Sequence, residues 1–384
     1  LKIAPDLYDI TVFGAEPHPN YNRIMLSPVL AGEQTVQEIV LNSWEWYEQN
    51  HITLHTGKKV VEVDRVKRVV RAVDSQGEFT EAVYDRLLIC TGSNPFMLPV
   101  PGKELEGVIA YRDIAHTDYM IETARTHRNA VVIGGGLLGL EAANGLASRG
   151  MNVTVVHVMP WLMERQLDSV AANLLQQSLE ERGLRFMLGA QTQELLGNDE
   201  GRVCAIRFKD GTQLQADLVV MAVGIRPNIE LAQQMHLHCE RGIVVNDTMQ
   251  TVTDARIYSV GECAQHRGVA YGLVAPLFEQ AKVAANHLAQ FGIGSYAGST
   301  TSTKLKVTGI DLFSAGEFMG GEGCEEIVMN DPFGGVYKKL VIKDDKLVGA
   351  CLYGDTIDGN WYFKLLSEGS DVSDIRDKLM FGET

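Results

Sequence analysis

Between residues 129 and 159 the apolar positions change their spacing twice. Val131, Val132 and Ile133 form a continuous β-branched run, the pattern of a strand buried on both faces. Gly134, Gly135 and Gly136 interrupt it. Leu137, Leu138, Leu140, Ala142 and Ala143 then fall at helical spacing around Gly139. A second β-branched run over 151–159 closes a strand–helix–strand unit. The same reading gives a short buried strand at 9–13 ending in Gly14-Ala15-Glu16, a loop at 17–23 and a helix at 44–50. Strands follow at 59–64 and 68–73, with a turn at Ser75-Gln76-Gly77. Apolar residues at 86–90 run into Thr91-Gly92-Ser93-Asn94-Pro95, and Pro99-Val100-Pro101-Gly102 reads as a crossover between domains. Residues 217–223 end at Gly224-Ile225-Arg226-Pro227-Asn228. A further strand at 256–260 meets Gly261-Glu262-Cys263-Ala264, and a helix spans 276–291.

After Gly294 the character changes. Gly, Ser and Thr are frequent to about residue 303, and strand-like alternation follows at 305–307, 312–315, 335–342 and 347–352. A helix near 361–368 closes the chain. This last part reads as a small α+β domain. With 384 residues, two or three cores are expected. The fold class is therefore read as α/β, closed by an α+β domain over 295–384; the resemblance given below implies two Rossmann-like domains before it, one from 1–110 with 246–294 and one from 111–245.

A formal net charge of −15 argues against a nucleic-acid backbone or an anionic membrane as the main partner. No apolar run approaches the ~20 residues that span a bilayer. The six cysteines, Cys90, Cys204, Cys239, Cys263, Cys324 and Cys351, form no close pair, so neither a metal cluster nor a redox disulfide is expected. Scattered thiols suit a reducing, cytoplasmic setting. The chain opens on Leu1, and Lys2-Ile3-Ala4-Pro5-Asp6 reads as the tail of a helix whose start is missing.

Strand, Gly-x-Gly-x-x-Gly, helix is the order that makes a dinucleotide site credible. Gly134 permits the tight turn, Gly136 the approach of a pyrophosphate, and Gly139 close packing of the helix. The helix N-terminus adds unpaired N–H groups and a positive dipole end. The segments Leu87-Leu88-Ile89-Cys90-Thr91-Gly92 and Val219-Val220-Met221-Ala222-Val223-Gly224 are near copies of each other, apolar strand then small residue then glycine. Each alone is a strand ending in a turn, but flanking the glycine motif they suit the edge of a nucleotide site.

With Tyr258-Ser259-Val260-Gly261-Glu262 added, residues 8–292 resemble the two-dinucleotide flavoproteins of the pyridine nucleotide-disulfide oxidoreductase superfamily. The resemblance implies FAD in the first domain and NADH or NADPH in the second. It places Glu16 at the adenosine ribose and Arg23 at the FAD pyrophosphate, with Thr91, Gly92 and Gly224 beneath bound nucleotide. Gly261 and Glu262 fall near the ribityl chain, Glu262 standing where an aspartate is usual. Pro276 would begin a helix whose positive end faces the flavin pyrimidine. Glu141 would face the flavin–nicotinamide cleft, the alternative being an exposed helix face. The lysine expected after Leu26-Ser27 is replaced by Pro28, and the first FAD glycine motif does not precede Asp9. His157 ends the strand after the glycine motif, where an acidic residue would select NADH, and Arg165 lies eight positions on; a surface histidine outside any pocket is the other reading. NADH with tolerance of NADPH is expected, and no metal site.

Three further stretches carry a narrower resemblance: residues 159–168, 302–311 and 353–361. They are similar to the electron-input portion of assimilatory NAD(P)H-dependent nitrite reductase large subunits. Iron–sulfur and sirohaem centres would then lie outside this chain, in another domain or in a small reductase subunit. The resemblance admits a homodimer. A stand-alone NAD(P)H:rubredoxin or ferredoxin reductase, the electron-transfer subunit of a nitrate reductase, and a redox-sensing flavoprotein remain as alternatives.

Overall fold

The computed structural model describes residues 1–383, which divide into two compact units. The first comprises Leu1–Met25, Thr35–Asn94 and Ile225–Ser299. The second comprises Leu26–Gln34, Pro95–Gly224 and the chain from Thr300 on. Pro99-Val100-Pro101-Gly102 lies inside the second unit.

The second unit is built on a five-stranded parallel sheet. Its order is Arg185–Leu188, Asn152–His157, Asn129–Ile133, Leu218–Met221, Val108–Ala110. Asn129–Ile133 lies at the centre because its side chains are apolar on both faces; Ala130, Val131, Val132 and Ile133 are all buried. The crossover helices are Ile114–Thr126, Leu137–Ser148 and Ser169–Glu181. Asp113 and Asp168 cap the first and third by accepting the amides of His116 and Ala171. A three-stranded antiparallel sheet (Thr192–Gly197, Val203–Phe208, Gln213–Gln215) shares a core with the parallel one through Leu195, Ile206, Phe208, Val219 and Met221. The short helix Leu26–Ala31 packs on Leu137–Ser148, where a Cβ on Gly145 would come within 2.6 Å of Leu30. Arg149 closes that contact by donating to the carbonyls of Val29 and Leu30 at the end of the short helix.

The C-terminal part of this unit is an antiparallel sheet in the order Ser302–Val307, Ile310–Gly316, Lys346–Tyr353, Val336–Lys343, Glu325–Asp331. Helix Gly359–Glu368 covers it, burying Tyr362 among Phe313, Leu340 and Leu352. Glu325–Asp331 is a strand that the alternation pattern does not reveal. As an edge strand it carries charged ends and exposed residues, which mask the period of two.

The first unit holds three parallel strand pairs: Ile10–Phe13 with Ile52–His55, Leu87–Ile89 with Ile257–Ser259, and Ile243–Val245 with Ala264–His266. An antiparallel sheet of Lys59–Asp64, Val69–Val73 and Phe79–Val83 accompanies them. Val63, Val70, Ile89, Ile243, Ile257 and Cys263 form its core. Helix Val274–Leu288 starts two residues earlier than the sequence suggests. Pro276 therefore sits within the first turn, where its missing N–H leaves no bond unmade.

Candidate functional site

In the second unit the glycine loop is built as a cradle. Gly134 has φ +122°, and a Cβ there would lie 2.1 Å from the Ala222 carbonyl oxygen. A Cβ on Gly139 would lie 2.0 Å from the Gly134 carbonyl oxygen. Both positions therefore exclude any side chain, and the helix starts directly against the turn. Gly136 differs: it caps the helix at φ −83°, with nothing within 4 Å of a Cβ. The space above Gly136 is open, next to the first unpaired amides of Leu137–Ser148, which suits a pyrophosphate. Gly224, at φ +111°, is likewise open, and its carbonyl accepts the Phe96 amide at 2.9 Å.

His157 is buried, not exposed. Its Nδ1 accepts the Gly135 amide at 3.0 Å, and its Nε2 lies 2.9 Å from Glu164 Oε2. The ring thus reaches back to the glycine loop.

Glu141 projects from helix Leu137–Ser148 and is half-buried. It accepts the Thr308 amide at 3.0 Å. Thr308 and Gly309 form the two-residue turn between Ser302–Val307 and Ile310–Gly316, with φ +47° and +92°. Arg182 donates to the Thr308 carbonyl, so the turn is held from two helices. Burial raises the Glu141 carboxyl above its ordinary value, the Thr308 amide opposes this, and Glu33 adds to the rise. A raised carboxyl contributes stability below the unfolded value of 4.5 and loses it as pH rises through the folded value. Glu141→Gln, which can still accept from Thr308, is therefore expected to match the parent near pH 4.5 and to exceed it at neutral pH. Urea midpoints against pH check this; parallel curves would refute it. Beside it, Tyr111 is buried, its phenol pushed up to about 12, and donates to Ser27 Oγ at 3.4 Å.

In the first unit a second constellation forms around the ends of Leu87–Ile89 and Ile257–Ser259. Thr91 Oγ1 donates to the Asn228 carbonyl at 2.7 Å, and the Asn228 amide returns to the Gly92 carbonyl at 2.8 Å. Gly92 has φ +65° and Gly261 φ +91°, the left-handed region that favours glycine. Ser93 Oγ donates to Glu262 Oε2 at 2.6 Å. The Gly261 amide donates to Gln280 Oε1 at 3.0 Å, while Gln280 Nε2 is buried with no partner. A fully buried amide nitrogen left unpaired is costly, and beside an open Gly261 it fits the acceptor groups of a bound cofactor. Ser93, Asn228 and Gln280 are additions that the motifs do not flag. Gln280 lies one helical turn after Pro276, so the shared face was the available signal.

Glu16 and Arg23 meet each other. Arg23 Nη2 lies 2.6 Å from Glu16 Oε1, the Tyr21 hydroxyl donates to Glu16 Oε2 at 2.6 Å, and the guanidinium stacks 5.1 Å from the Tyr21 ring centre. Among the described residues no group of three metal-ligating side chains occurs, and no helix is long and apolar enough to cross a membrane.

Two nucleotide-type glycine sites on Rossmann-like sheets define a class of dinucleotide-binding oxidoreductase. The chain belongs to the pyridine nucleotide-disulphide oxidoreductase family, whose pattern matches residues 2–287; residues 302–370 match the rubredoxin NAD+ reductase C-terminal domain. Its sequence is 50% identical to a nitrite reductase [NAD(P)H] of Bacillus subtilis, over 97% of this chain and 46% of that one. It is 44% identical to the assimilatory nitrate reductase electron transfer subunit of the same organism, over 100% of this chain and 49% of the relative. The chain thus spans about half the length of these two curated relatives. The NADH:rubredoxin oxidoreductase of Clostridium acetobutylicum superposes with a TM-score of 0.81 at 25% identity, covering 97% of this chain and 93% of the other.

Proposed function

We propose that the chain is the electron-input portion of an assimilatory nitrite reductase, an NAD(P)H-dependent flavoprotein oxidoreductase. The observation that carries this is the 50% identity to nitrite reductase [NAD(P)H] across nearly the whole chain, joined to the open amide cradle at Gly136. Bound FAD would supply the hydride acceptor for the nicotinamide and the source of single electrons for iron–sulfur and sirohaem centres outside this chain.

Every further task falls to the chain. Residues 1–110 and 246–294 would hold FAD: the left-handed turn at Gly92 and the open position at Gly261 would let the chain pass close to it, and Ser93, Glu262 and Gln280 would offer it hydrogen-bonding groups. Helix Val274–Leu288 turns its positive end to the same region. Residues 111–245 would hold the nicotinamide nucleotide, with Gly134 and Gly139 shaping the turn and Gly136 leaving room for the pyrophosphate. Glu16 and Arg23, paired with each other here, would exchange that bond for ribose and phosphate contacts. No side chain acts as a nucleophile; alignment of the two rings is what the protein contributes.

A visible absorption spectrum of the purified protein, followed by anaerobic addition of NADH, tests the reading. A flavin band that bleaches is the expected result; a colourless protein, or a band indifferent to NADH and NADPH, overturns it. Nitrite is not expected to be consumed by this chain alone. A second reading, a stand-alone rubredoxin reductase, draws on the similarity to the clostridial enzyme over 93% of its length. Rapid NADH-dependent reduction of rubredoxin would favour that second reading.

A further inference from the structure

The residue that ends the strand Asn152–His157 makes two bonds in opposite directions. Because a backbone amide can only donate, the Gly135 N–H (3.0 Å) makes His157 Nδ1 the bare nitrogen and places the ring proton on Nε2. Glu164 Oε2, 2.9 Å away, accepts that proton. The loop between them is locked to the same glycine from its other side. The Met163 amide donates to the Gly135 carbonyl at 3.0 Å, with Met163 itself buried and at φ +51°. A Cβ on Gly135 would come within 2.8 Å of both the His157 ring and Leu162. A methionine held in the left-handed region is strained, and such strain collects at ligand clamps. Gly135 is therefore gripped at its N–H by the strand end and at its carbonyl by the loop that follows, and that loop carries a carboxylate a quarter exposed.

We propose that Glu164 is the specificity-determining residue of the nucleotide site, taking the adenosine ribose hydroxyls and repelling a 2′-phosphate, and that His157 is the positioning residue that aims it. In a dinucleotide fold the ribose hydroxyls are met by a carboxylate from the end of the second strand. Here that place holds an imidazole, and the carboxylate arrives seven residues later, delivered to the same point by the Nε2–H bond. One Glu164 oxygen is fixed by His157, so the carboxylate is oriented before nucleotide arrives. A 2′-phosphate would place like charge against it. Arg165, the next residue, is exposed, which leaves NADPH disfavoured and not excluded. The proposal rests on the nucleotide reading of the Gly134–Gly139 loop.

Isothermal titration with ADP-ribose and with 2′-phospho-ADP-ribose tests it without reference to flavin or turnover. The parent is expected to prefer ADP-ribose at least tenfold. Glu164→Gln is expected to weaken ADP-ribose by ~10-fold or more while leaving or improving the 2′-phosphate, since hydrogen bonds to charged groups carry about 1.5–3 kcal/mol. Asparagine and glutamine divide the role of His157. His157→Asn keeps an acceptor for Gly135 but cannot reach Glu164, so selectivity is expected to fall. His157→Gln keeps a donor toward Glu164 but loses the Gly135 acceptor, so both ligands are expected to weaken alike. A packing role alone would weaken both ligands alike in all three variants. An unchanged ratio in Glu164→Gln overturns the proposal and leaves the nucleotide site standing. Failure of the parent to bind either ligand overturns both.

Discussion

Gly139→Ala is expected to abolish nucleotide binding and to destabilise the protein by about 3 kcal/mol. Alanine in place of glycine inside a helix ordinarily gains up to about 1 kcal/mol. Here the new methyl would lie 2.0 Å from the Gly134 carbonyl oxygen and 3.5 Å from Ala222 Cβ, so the contact decides the sign. Relief requires the helix Leu137–Ser148 to move off the turn, which carries the cradle away with it. Gly136→Ala is the matched control. Its φ of −83° suits any residue and its Cβ meets nothing within 4 Å. Stability is expected to stay within about 0.5 kcal/mol of the parent, as at an uncrowded surface site. Binding is still expected to fail, because the methyl fills the space a pyrophosphate would take. Urea denaturation and titration with ADP-ribose on both variants separate the effects. If Gly139→Ala were as stable as Gly136→Ala, the packing argument would be wrong.

Asp168→Ala is expected to cost about 3–5 kcal/mol, the range for removing one member of a buried ionic network. One carboxylate does three jobs. Its Oδ1 caps Ser169–Glu181 through the Ala171 amide at 3.0 Å, and its Oδ2 accepts the Tyr337 hydroxyl at 2.6 Å. It also lies 3.9 Å from the Nζ of Lys339, which is only 6% exposed. Burial, and the bond to Asp168, raise the Tyr337 phenol far above its usual range, so it remains a donor that needs an acceptor. Loss of the cap alone would cost about 1 kcal/mol; the stranded Tyr337 hydroxyl and the lost ion pair to Lys339 supply the rest. Lys339 keeps Glu326 at 3.0 Å and the Met319 carbonyl at 3.3 Å, which limits the damage. Asp168→Asn keeps one acceptor oxygen, enough for the Ala171 cap, but turns an amide donor toward the Tyr337 hydroxyl, so it is expected to lose less than alanine without matching the parent. Denaturation of both variants decides the matter: a cost below about 1 kcal/mol for alanine would mean that the network contributes only its cap.

Much of the second unit was legible in the sequence. A strand buried on both faces, a glycine turn and an apolar helix announce themselves between Val131 and Ala143, because period and composition change together. Four of the five C-terminal strands showed by alternation, and Glu325–Asp331 did not, since an edge strand needs no apolar face. Helices Ile114–Thr126 and Ser169–Glu181 went unread although Asp113 and Asp168 are ordinary N-caps. The site was legible as a set of glycines but not as a set of bonds. Spacing cannot show that His157 turns inward to Gly135, that Glu16 meets Arg23, or that Glu141 receives an amide 167 residues away. Those pairings depend on where strands end in space.

The division into two units also fixes an order of events on the ribosome. Leu87–Ile89 pairs with Ile257–Ser259, 170 residues later. The four inner and outer strands between Val108 and Leu188, and Leu218–Met221, are made wholly within that interval. At about 5–20 residues per second, Leu87–Ile89 waits roughly ten to thirty seconds for its partner. The parallel sheet of the second unit can close during that wait. The older strand is then completed after that sheet, with its apolar edge in need of shelter meanwhile.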